Sequence, residues 1–388
     1  MNIPFLKYFL TYLFHAKTRQ RLLFLAVFGL IISSFALLVL QSTMGGLQNK
    51  LINRSKEVSG HYVAEFKPLA EDKVTPLVES LNADGIVAMA EYELELLVKY
   101  GSYYAPMIVH GIKPDGVMPP FLKGRVFEEL LMPRGLAIKV NATVGDLVRL
   151  MSPAHLESFI GDVPKMSSLY LNTLVSTEVP EIDEFHGWAA LRRMQTFSGL
   201  KNVNRIRVYS QTSRENLDER MREALNGHDF RLLSWEQKNA TLVWALGLET
   251  TVMVFLFSAM TLLVSLAITS ALLIFFSKIK SDLASFWILG TDEASIIKSS
   301  KILLTLLTFG SVCIGLSLGA LFLLGLDQFG PNIMPDVFVD RRIPVHITLV
   351  GLATSFGIPF GISLIFAFLS LKAFQKDVDY MKFIRSIG

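Results

Sequence analysis

The sequence predicts a membrane α-helical bundle of four transmembrane helices, with both termini in the cytoplasm and a large α+β extracytoplasmic domain inserted between helices 1 and 2. The order of the apolar runs and the distribution of basic residues around them carry this prediction. Of the 388 residues, 51% are hydrophobic and 18% are charged, which is typical of an integral membrane protein with a soluble insert. A net charge of +3 gives no support to nucleic-acid binding.

Each of four apolar runs is long enough to cross a bilayer core of about 30 Å, which takes about 20 helical residues. The first run is followed by the long, mostly polar segment 43–241, and the other three are crowded at the end of the chain. The predicted transmembrane segments are 22–42, 242–276, 302–326 and 343–371. The first run lacks a following A-x-A-like cleavage site, which favours a retained helix over a signal peptide.

Basic residues orient these helices, because cytoplasmic loops are enriched in lysine and arginine. Lysine and arginine cluster before the first span, in the loop 277–301 and in the tail 372–388. We therefore expect these three regions to be cytoplasmic, and the domain 43–241 and the short loop 327–342 to lie outside. Aromatic residues at helical spacing predict an interfacial helix over 1–21 on the inner leaflet; the alternative is an extension of the first span.

The outer domain is predicted to have two lobes, the second (about 130–190) inserted into the first. Its periodicity and turn residues predict these elements: a helix at 74–81, strands at 86–100, 105–111 and 205–209, and a helix at 214–226. The run 242–276 is longer than a bilayer requires, and Glu249 near its start belongs above the hydrocarbon. We therefore expect the second span to continue outward as a helical stalk, and the first span to do the same over 48–58.

Motifs for catalysis and for metal or nucleotide binding are missing from the sequence, which lacks H-E-x-x-H, a cysteine pair and G-x-x-x-x-G-K-[ST]. Its histidines show no metal-ligand spacing, and its single cysteine, Cys313, is predicted to be a packing residue. The stretch Gly315-Leu-Ser-Leu-Gly319 fits the serine-hydrolase pattern but lies inside an apolar helix. With Ser311 it also forms a small-residue face suited to close helix packing, the favoured interpretation. We expect no catalytic residue and no metal.

The loop 277–301 contains a helical pattern over 280–289, with Leu283, Phe286 and Trp287 on it. Gly290 is placed to stop this helix, and Thr291 or Asp292 to cap a second helix beginning at Glu293. A short amphipathic helix on the cytoplasmic face suits the socket of a motor protein. The pattern alone is equally compatible with a plain connecting loop.

Four motifs, in order along the chain, resemble those of MacB/FtsX-type (type VII) ABC transporter permeases, and most closely the lipoprotein-releasing LolC/LolE family. The stretch Asp282-Leu-Ala-x-x-x-x-Leu-Gly290 resembles the coupling-loop signature, with Asp282 in place of glutamate. The segment 43–52 resembles M-N-G-F-x-x-x-L, with Gly45 and Leu47 departing from it. The segments 111–115 and 135–148 resemble G-[IV]-D-P and G-x-x-L-A…G-D-x-[IV], whereas the tail lacks the family's proline-containing ending.

This resemblance implies a permease subunit that binds no cofactor itself, with ATP and Mg²⁺ held by partner ABC ATPase subunits. It also implies a second permease subunit (an identical copy or a paralogue), a lipoprotein substrate, a periplasmic lipoprotein carrier, and a bacterial inner membrane with the large domain in the periplasm. The ATPase-coupling residues would be Lys280, Asp282, Leu283, Ala284, Phe286, Trp287, Leu289, Gly290 and Thr291. The cavity for lipid chains would be lined by Leu38, Met44, Leu47 and Leu51, facing Met253, Phe257 and Met260.

The alternative is a force-transmitting FtsX/MacB-like permease that acts on a periplasmic partner or exports another substrate. MacB-like permeases usually carry a fused ATPase, and FtsX-like permeases usually have a much smaller outer domain, so both features favour the lipoprotein-releasing family. A passive scaffold or receptor, which needs no ATPase, is a further alternative, and in that case substitution of Asp282 or Gly290 would leave function intact.

Overall fold

The computed structural model describes residues 21–124, 128–157, 163–225, 227–288, 290, 293–330 and 343–377. The predicted interfacial helix, most of the loop 327–342 and most of the tail therefore lie outside the described residues. The chain forms two compact units. One, the membrane unit, contains Met1–Gln48, Ala245–Pro335 and Asp340–Gly388; the other, the outer domain, contains Asn49–Trp244 with Asp336–Val339.

Helices and strands are numbered separately in chain order. The helices are α1 (Arg21–Ser59), α2 (Glu71–Ala83), α3 (Arg134–Val140), α4 (Pro180–Phe185), α5 (Leu191–Ser198), α6 (Arg214–Leu225), α7 (Trp235–Lys238), α8 (Ala240–Ile288), α9 (Glu293–Phe329) and α10 (Leu349–Asp377). The strands are β1 (Tyr62–Ala70), β2 (Ala88–Tyr100), β3 (Tyr103–Ile112), β4 (Leu130–Pro133), β5 (Leu147–Glu157), β6 (Val163–Val175), β7 (His186–Ala190), β8 (Asn202–Val208) and β9 (Phe230–Ser234).

Among the residues that the structure describes, four helices are long and apolar enough to cross a membrane: α1, α8, α9 and α10. Together with the large domain between the first and the second, they confirm the predicted fold class. Helix α8 contains 49 residues, or roughly 74 Å at 1.5 Å per residue, more than twice the thickness of a bilayer core. Helix α1 likewise continues without a break to Ser59, so both helices extend well beyond the length that a membrane requires.

Nine strands of the outer domain form one sheet in the order β3-β7-β4-β6-β5-β2-β8-β1-β9, and β3 also pairs with β2. This extra pairing closes six strands (β2, β3, β7, β4, β6 and β5) into a barrel, which leaves β8, β1 and β9 as an extension of β2. Closure removes the free edge that strand β3 would otherwise expose.

The segment 130–190, predicted as a second lobe, supplies β4 to β7 but does not close a barrel by itself. Closure requires β2 and β3 from the preceding segment. The boundary between barrel and extension therefore falls inside β2, whose residues 88–91 pair with β8 and whose residues 92–100 pair with β3. One hydrophobic core, from Ala64 to Leu232, runs through both parts.

Periodic apolar residues place the helices of the outer domain on this core. Val74, Leu77 and Leu81 are buried on one face of α2, and α6 buries leucine and methionine at the same helical spacing. The structure confirms the helices predicted at 74–81 and 214–226 and the strands predicted at 86–100, 105–111 and 205–209, with end residues that differ slightly.

Candidate functional site

The predicted ATPase-coupling segment begins in the last turns of α8 and continues to Gly290. Gly290 adopts a left-handed conformation with φ of +91°, which glycine tolerates at little cost, and α9 begins at Glu293. The backbone of α8 contains the predicted residues Lys280, Asp282, Leu283, Ala284, Phe286 and Trp287 in its last turns. Leu289 and Thr291 lie outside the described residues.

The helix expected over 280–289 is not a separate element, because α8 continues through the predicted span end at 276 to Ile288. The sequence explains this continuity: neither glycine nor proline occurs between residues 248 and 289, so nothing favours a helix break before Gly290. The predicted coupling residues up to Trp287 are therefore part of the C-terminal end of α8.

The small-residue face of the third span lies against α1. A Cβ atom on Gly315 would come within 2.5 Å of the carbonyl oxygen of Ile31, and one on Gly319 within 3.1 Å of Leu38 Cδ2. Ser311, a turn earlier, is buried and donates a hydrogen bond to the Leu307 carbonyl. The absence of side chains at both glycines thus permits the close approach of α9 to α1.

The predicted lipid-cavity residues differ in their surroundings. Leu38 is fully buried and lies beside Gly319 of α9. Met260 is 52% exposed. The remaining predicted residues are half-buried: Met44, Leu47, Leu51, Met253 and Phe257.

Polar contacts between the membrane helices were not predicted from the sequence, because single serines and threonines carry no recognisable pattern. Ser33 and Thr261 join α1 to α8 with a hydrogen bond of 2.8 Å, and Ser265 and Ser363 join α8 to α10 with one of 3.0 Å. Nearer the outer domain, Gln48 Nε2 lies 3.2 Å from Glu249 Oε2, which gives this acidic residue of α8 a polar partner on α1.

The end of α1 is held by a buried arginine of the outer domain. Arg207, on β8, donates from Nη1 to the carbonyl oxygen of Ser59 over 2.6 Å. The same guanidinium contacts Glu91 through Nε at 3.1 Å and Nη2 at 2.5 Å, and Glu93 through Nη2 at 3.2 Å. Glu91 and Arg207 are nearly inaccessible to solvent, so each charge depends on the other for compensation.

Two histidines continue this network onto the neighbouring strands β3 and β7. His110 Nδ1 lies 3.5 Å from carboxylate oxygens of both Glu91 and Glu93. Its other nitrogen, Nε2, lies 2.8 Å from His186 Nδ1, and the His110 ring stacks with the rings of His186 and Trp188.

The electrostatics of the network follow from burial and from these contacts. Burial disfavours the charged form of Glu91, but Arg207 and His110 outweigh it and hold the pKa of this carboxyl well below its usual range. Burial, with His110 beside it, lowers the pKa of His186 to about 3. His186 is therefore neutral at pH 7, and it joins the network by hydrogen bonding rather than by charge.

A cavity of about 230 Å³ lies beside this network, within the outer domain. It is bordered by the last turns of α1, by α7 and the first turn of α8, by β3 and β7, and by α4. Its wall combines polar and apolar side chains: Ser55, Val58, Ser59, Glu93, Ile108, His110, Val179, Glu181, Ile182, His186, Trp188, Arg207, Lys238, Asn239 and Leu242.

The fold brings together a metal-ligand set that the sequence spacing did not predict, since ligand atoms of Glu91, Glu93 and His110 lie within 4.8 Å of one another. The guanidinium of Arg207 contacts both carboxylates. Because Arg207 already supplies the positive charge at this point, a metal cation there would be repelled. These residues therefore fit an internal ion-pair network better than a metal site.

Comparison with known proteins finds similarity to one kind of curated protein and to two solved structures. No family model matches it. The lipoprotein-releasing system transmembrane protein LolC of Xylella fastidiosa is 22% identical over 365 residues, which cover 85% of this chain and 88% of LolC, in both strain Temecula1 and strain 9a5c. The chain is similar to LolC over most of the length of both proteins. This finding confirms the resemblance to the LolC/LolE family that the motifs predicted.

Two solved structures show similarity to part of this chain. The extracellular domain of the ABC-type transporter YknZ from Gram-positive bacteria covers 44% of this chain and 98% of its own, with 13% identity and a TM-score of 0.30. The periplasmic region of MacB from Actinobacillus actinomycetemcomitans covers 50% of this chain and 97% of its own, with 8% identity and a TM-score of 0.29.

Three glycines of the LolC-like motifs lie where another part of the chain packs closely against their Cα atoms. A Cβ atom on Gly46, in the segment 43–52, would come within 2.1 Å of the Pro344 carbonyl oxygen. One on Gly135 would come within 2.9 Å of the Asp183 carbonyl, and one on Gly111 within 2.9 Å of Met194. Packing therefore accounts for glycine at these three motif positions.

Proposed function

We propose that the chain is the permease subunit of an ABC transporter that extracts lipoproteins from the outer leaflet of the inner membrane and passes them to a periplasmic carrier. The similarity to LolC over 85% of the chain carries this proposal, since it includes both the membrane helices and the outer domain. A separate ATPase would supply the energy, and a second permease subunit would complete the membrane unit.

The first step of the proposed mechanism takes place at the turn between α8 and α9. Closure of the partner ATPase on ATP would press on the end of α8, where Asp282, Leu283 and Trp287 lie. Because α8 is continuous from Ala240 to Ile288, displacement of its cytoplasmic end would reach its outer end without a flexible joint. Gly290, with its left-handed backbone, would allow α8 and α9 to move together as a hairpin.

The second step concerns the acyl chains of the substrate. Half-buried apolar residues at the outer ends of α1 and α8, Met44, Leu47, Met253 and Phe257 among them, would contact these chains. The hydrogen bonds Ser33–Thr261 and Gln48–Glu249 would hold α1 and α8 together in the resting state. Separation of the two helices would open the space between them, and their return would expel the lipid.

An exposed face of the barrel suits the proposed carrier. The register of four neighbouring strands aligns Pro106, Leu97, Met151 and Met166 in one row, in which Leu97 is 38% and Met166 52% exposed. Lys99 and Arg149 are paired in a nearby row. We call these six residues the barrel face. An apolar row beside two cations suits a partner with an apolar rim and acidic residues.

Reconstitution tests the proposal. The tagged chain is purified from membranes in mild detergent, its co-purifying proteins are identified, and the complex is placed in proteoliposomes with a triacylated lipoprotein. We expect a stoichiometric ABC ATPase, and release of the lipoprotein to a soluble carrier that depends on ATP. An ATPase with normal activity but no release would favour the force-transmitting alternative, and a chain that purifies without an ATPase would contradict both.

A further inference from the structure

Glu178, between β6 and α4, has an unusual backbone. Its φ is +61°, a left-handed conformation that costs a residue with a Cβ atom roughly 1–2 kcal/mol. Such conformations persist where surrounding contacts over-determine them, and they concentrate at functional and switching segments. The contacts of the Glu178 side chain therefore indicate which interaction this backbone conformation makes possible.

The side chain of Glu178 forms a bidentate ion pair with the stalk. Arg54, on α1, donates from Nε to Glu178 Oε2 over 3.1 Å and from Nη2 to Glu178 Oε1 over 3.0 Å. Its remaining terminal nitrogen, Nη1, donates to Glu57 over 2.8 Å. The Glu178 side chain is only 4% exposed, against 33% for Arg54. A paired arginine–carboxylate fork of this kind is geometrically specific as well as strong.

The segment around Glu178 is held firmly to the barrel. Asp183 Oδ1 accepts hydrogen bonds from both the backbone and the hydroxyl of Thr177, at 2.8 and 2.7 Å. Val179 and Ile182 are buried in a second hydrophobic cluster of the outer domain. The left-handed backbone at Glu178 thus directs its carboxylate towards α1, while these contacts fix the residues on either side of it.

Further polar contacts of the end of α1 go to other elements. Ser55 accepts a hydrogen bond from Trp235 and Lys56 pairs with Glu236, both on α7, and the Ser59 carbonyl accepts from β8. Arg54–Glu178 joins the same helix to the β6–α4 segment of the barrel. The cavity of about 230 Å³ lies between these contacts, with Ser55 and Val58 on one wall and Val179 and Ile182 on another. Val58 also shares a buried hydrophobic cluster with Val179 and Ile182, so the ion pair adds a polar contact to an apolar one between α1 and this segment.

We propose that Arg54 and Glu178 form a latch that positions the outer end of α1 on the barrel, so that movement of this stalk displaces the barrel wall. The positioning role rests on the proposed function, in which α1 moves during transport. The existence of the latch does not, because it can be measured in the absence of cargo and ATPase.

Hydrogen–deuterium exchange of the full-length chain in detergent tests the latch. The variants are Glu178→Gln, which removes the charge, and Glu178→Gly, which removes the carboxylate but suits the left-handed backbone. Glu184→Gln is the matched control, because Glu184 also lies near the β6–α4 segment and pairs with Lys139. We expect amide exchange in residues 49–59 to accelerate severalfold in both Glu178 variants and to stay unchanged in the control.

Lipoprotein release per ATP hydrolysed, in the reconstituted complex, tests the positioning role. We expect a fall of about fivefold in both Glu178 variants, with ATP hydrolysis retained, and an intermediate value for Arg54→Lys, which keeps the charge but loses the fork. If Glu178 served only to stabilise the fold, the folded Glu178→Gly complex would release lipoprotein normally, and that result would overturn the proposal.

The exchange and release measurements distinguish failure of the latch, of its positioning role and of the proposed function. Unchanged exchange in both Glu178 variants would refute the latch, whatever the cargo. Faster exchange with normal release per ATP would refute its positioning role. A wild-type complex that releases no lipoprotein while the variants still exchange faster would contradict the proposed function and leave the latch supported.

Discussion

Arg207 donates a hydrogen bond of 2.6 Å from its Nη1 atom to the carbonyl oxygen of Ser59, the last residue of α1. A cation at this position satisfies a helix-terminal carbonyl and complements the negative end of the helix dipole. Glu91 balances the buried charge. The end of the first membrane helix is thereby tied to the core of the outer domain.

Replacement of Arg207 should therefore destabilise the outer domain strongly. Arg207→Met leaves Glu91 buried without a counter-charge, and we expect a loss of about 3–5 kcal/mol, measured by chemical unfolding of the full chain in detergent. Arg222→Gln, which removes an exposed i,i+4 pair with Asp218, is the control and should change little. Equal stability of the two variants would contradict the assigned role.

The stability of the outer domain should depend on His186 in weakly acidic solution. Because burial lowers the folded-state pKa of His186 to about 3, the unfolded chain binds a proton below pH 6.5 that the folded chain does not. Stability should then fall by about 1.4 kcal/mol per pH unit from this residue as the pH drops from 6 towards 3. Unfolding midpoints measured between pH 6.0 and 4.6 should show a shallower slope for His186→Gln than for the wild type, and parallel slopes would disprove the assignment.

Acid should weaken the Glu91–Arg207 pair at lower pH still. The pKa of Glu91 is held well below its ordinary value of 4.5, so its contribution is complete above that value and is lost as the pH falls through the folded-state pKa. Glu91→Gln should therefore remove part of the pH dependence below pH 4.5 and leave the slope above pH 5 unchanged. Acid unfolding monitored by tryptophan fluorescence would show whether the curves diverge only in that lower range.

The glycine face of α9 should tolerate no side chain where it meets α1. A methyl group at Gly315 would lie within 2.5 Å of the Ile31 carbonyl, so Gly315→Ala should lower the thermal unfolding temperature in detergent by several degrees. Gly310→Ala is the matched control, because a Cβ atom on Gly310 meets nothing within 4 Å and alanine is the better helix former. The packing assignment fails if both substitutions have the same effect.

The coupling segment gives a prediction that depends on the proposed function. Leu283→Asp would put an unpaired charge in the apolar socket of an ATPase, and we expect it to abolish transport-coupled ATP hydrolysis. Ser285→Asp adds the same charge at a neighbouring exposed position and should be tolerated better. Normal coupled hydrolysis in the Leu283 variant would remove this residue from the interface.

The barrel face should bind the carrier through its exposed methionine. Met166→Asp should weaken association between the purified chain and the carrier about tenfold without affecting folding, as measured by surface-based binding kinetics. Ile138→Asp, at a residue 72% exposed on α3, is a control outside the barrel face. Equal weakening by both changes would indicate a non-specific effect of charge.

The sequence by itself determined the four-helix membrane topology, the inserted domain and the stop at Gly290, because apolar runs, basic flanks and helix-ending glycines act over short stretches of chain. The motifs likewise indicated the relationship to LolC, since each of them is a short contiguous segment. The single helix from Ala240 to Ile288 could also have been predicted, because the segment after Gly247 lacks helix breakers.

Only the tertiary structure decided where barrel and extension meet inside β2, how Leu38 packs against Gly319, and which charges meet. Arg54 and Glu178 are 124 residues apart, and Glu91 and Arg207 are 116 apart. Each of these side chains is common in sequence and carries no local signal. A buried charge is stable only beside an opposite charge. Strand pairing and barrel closure bring distant segments together, and they therefore decide which charges are buried and which ones meet.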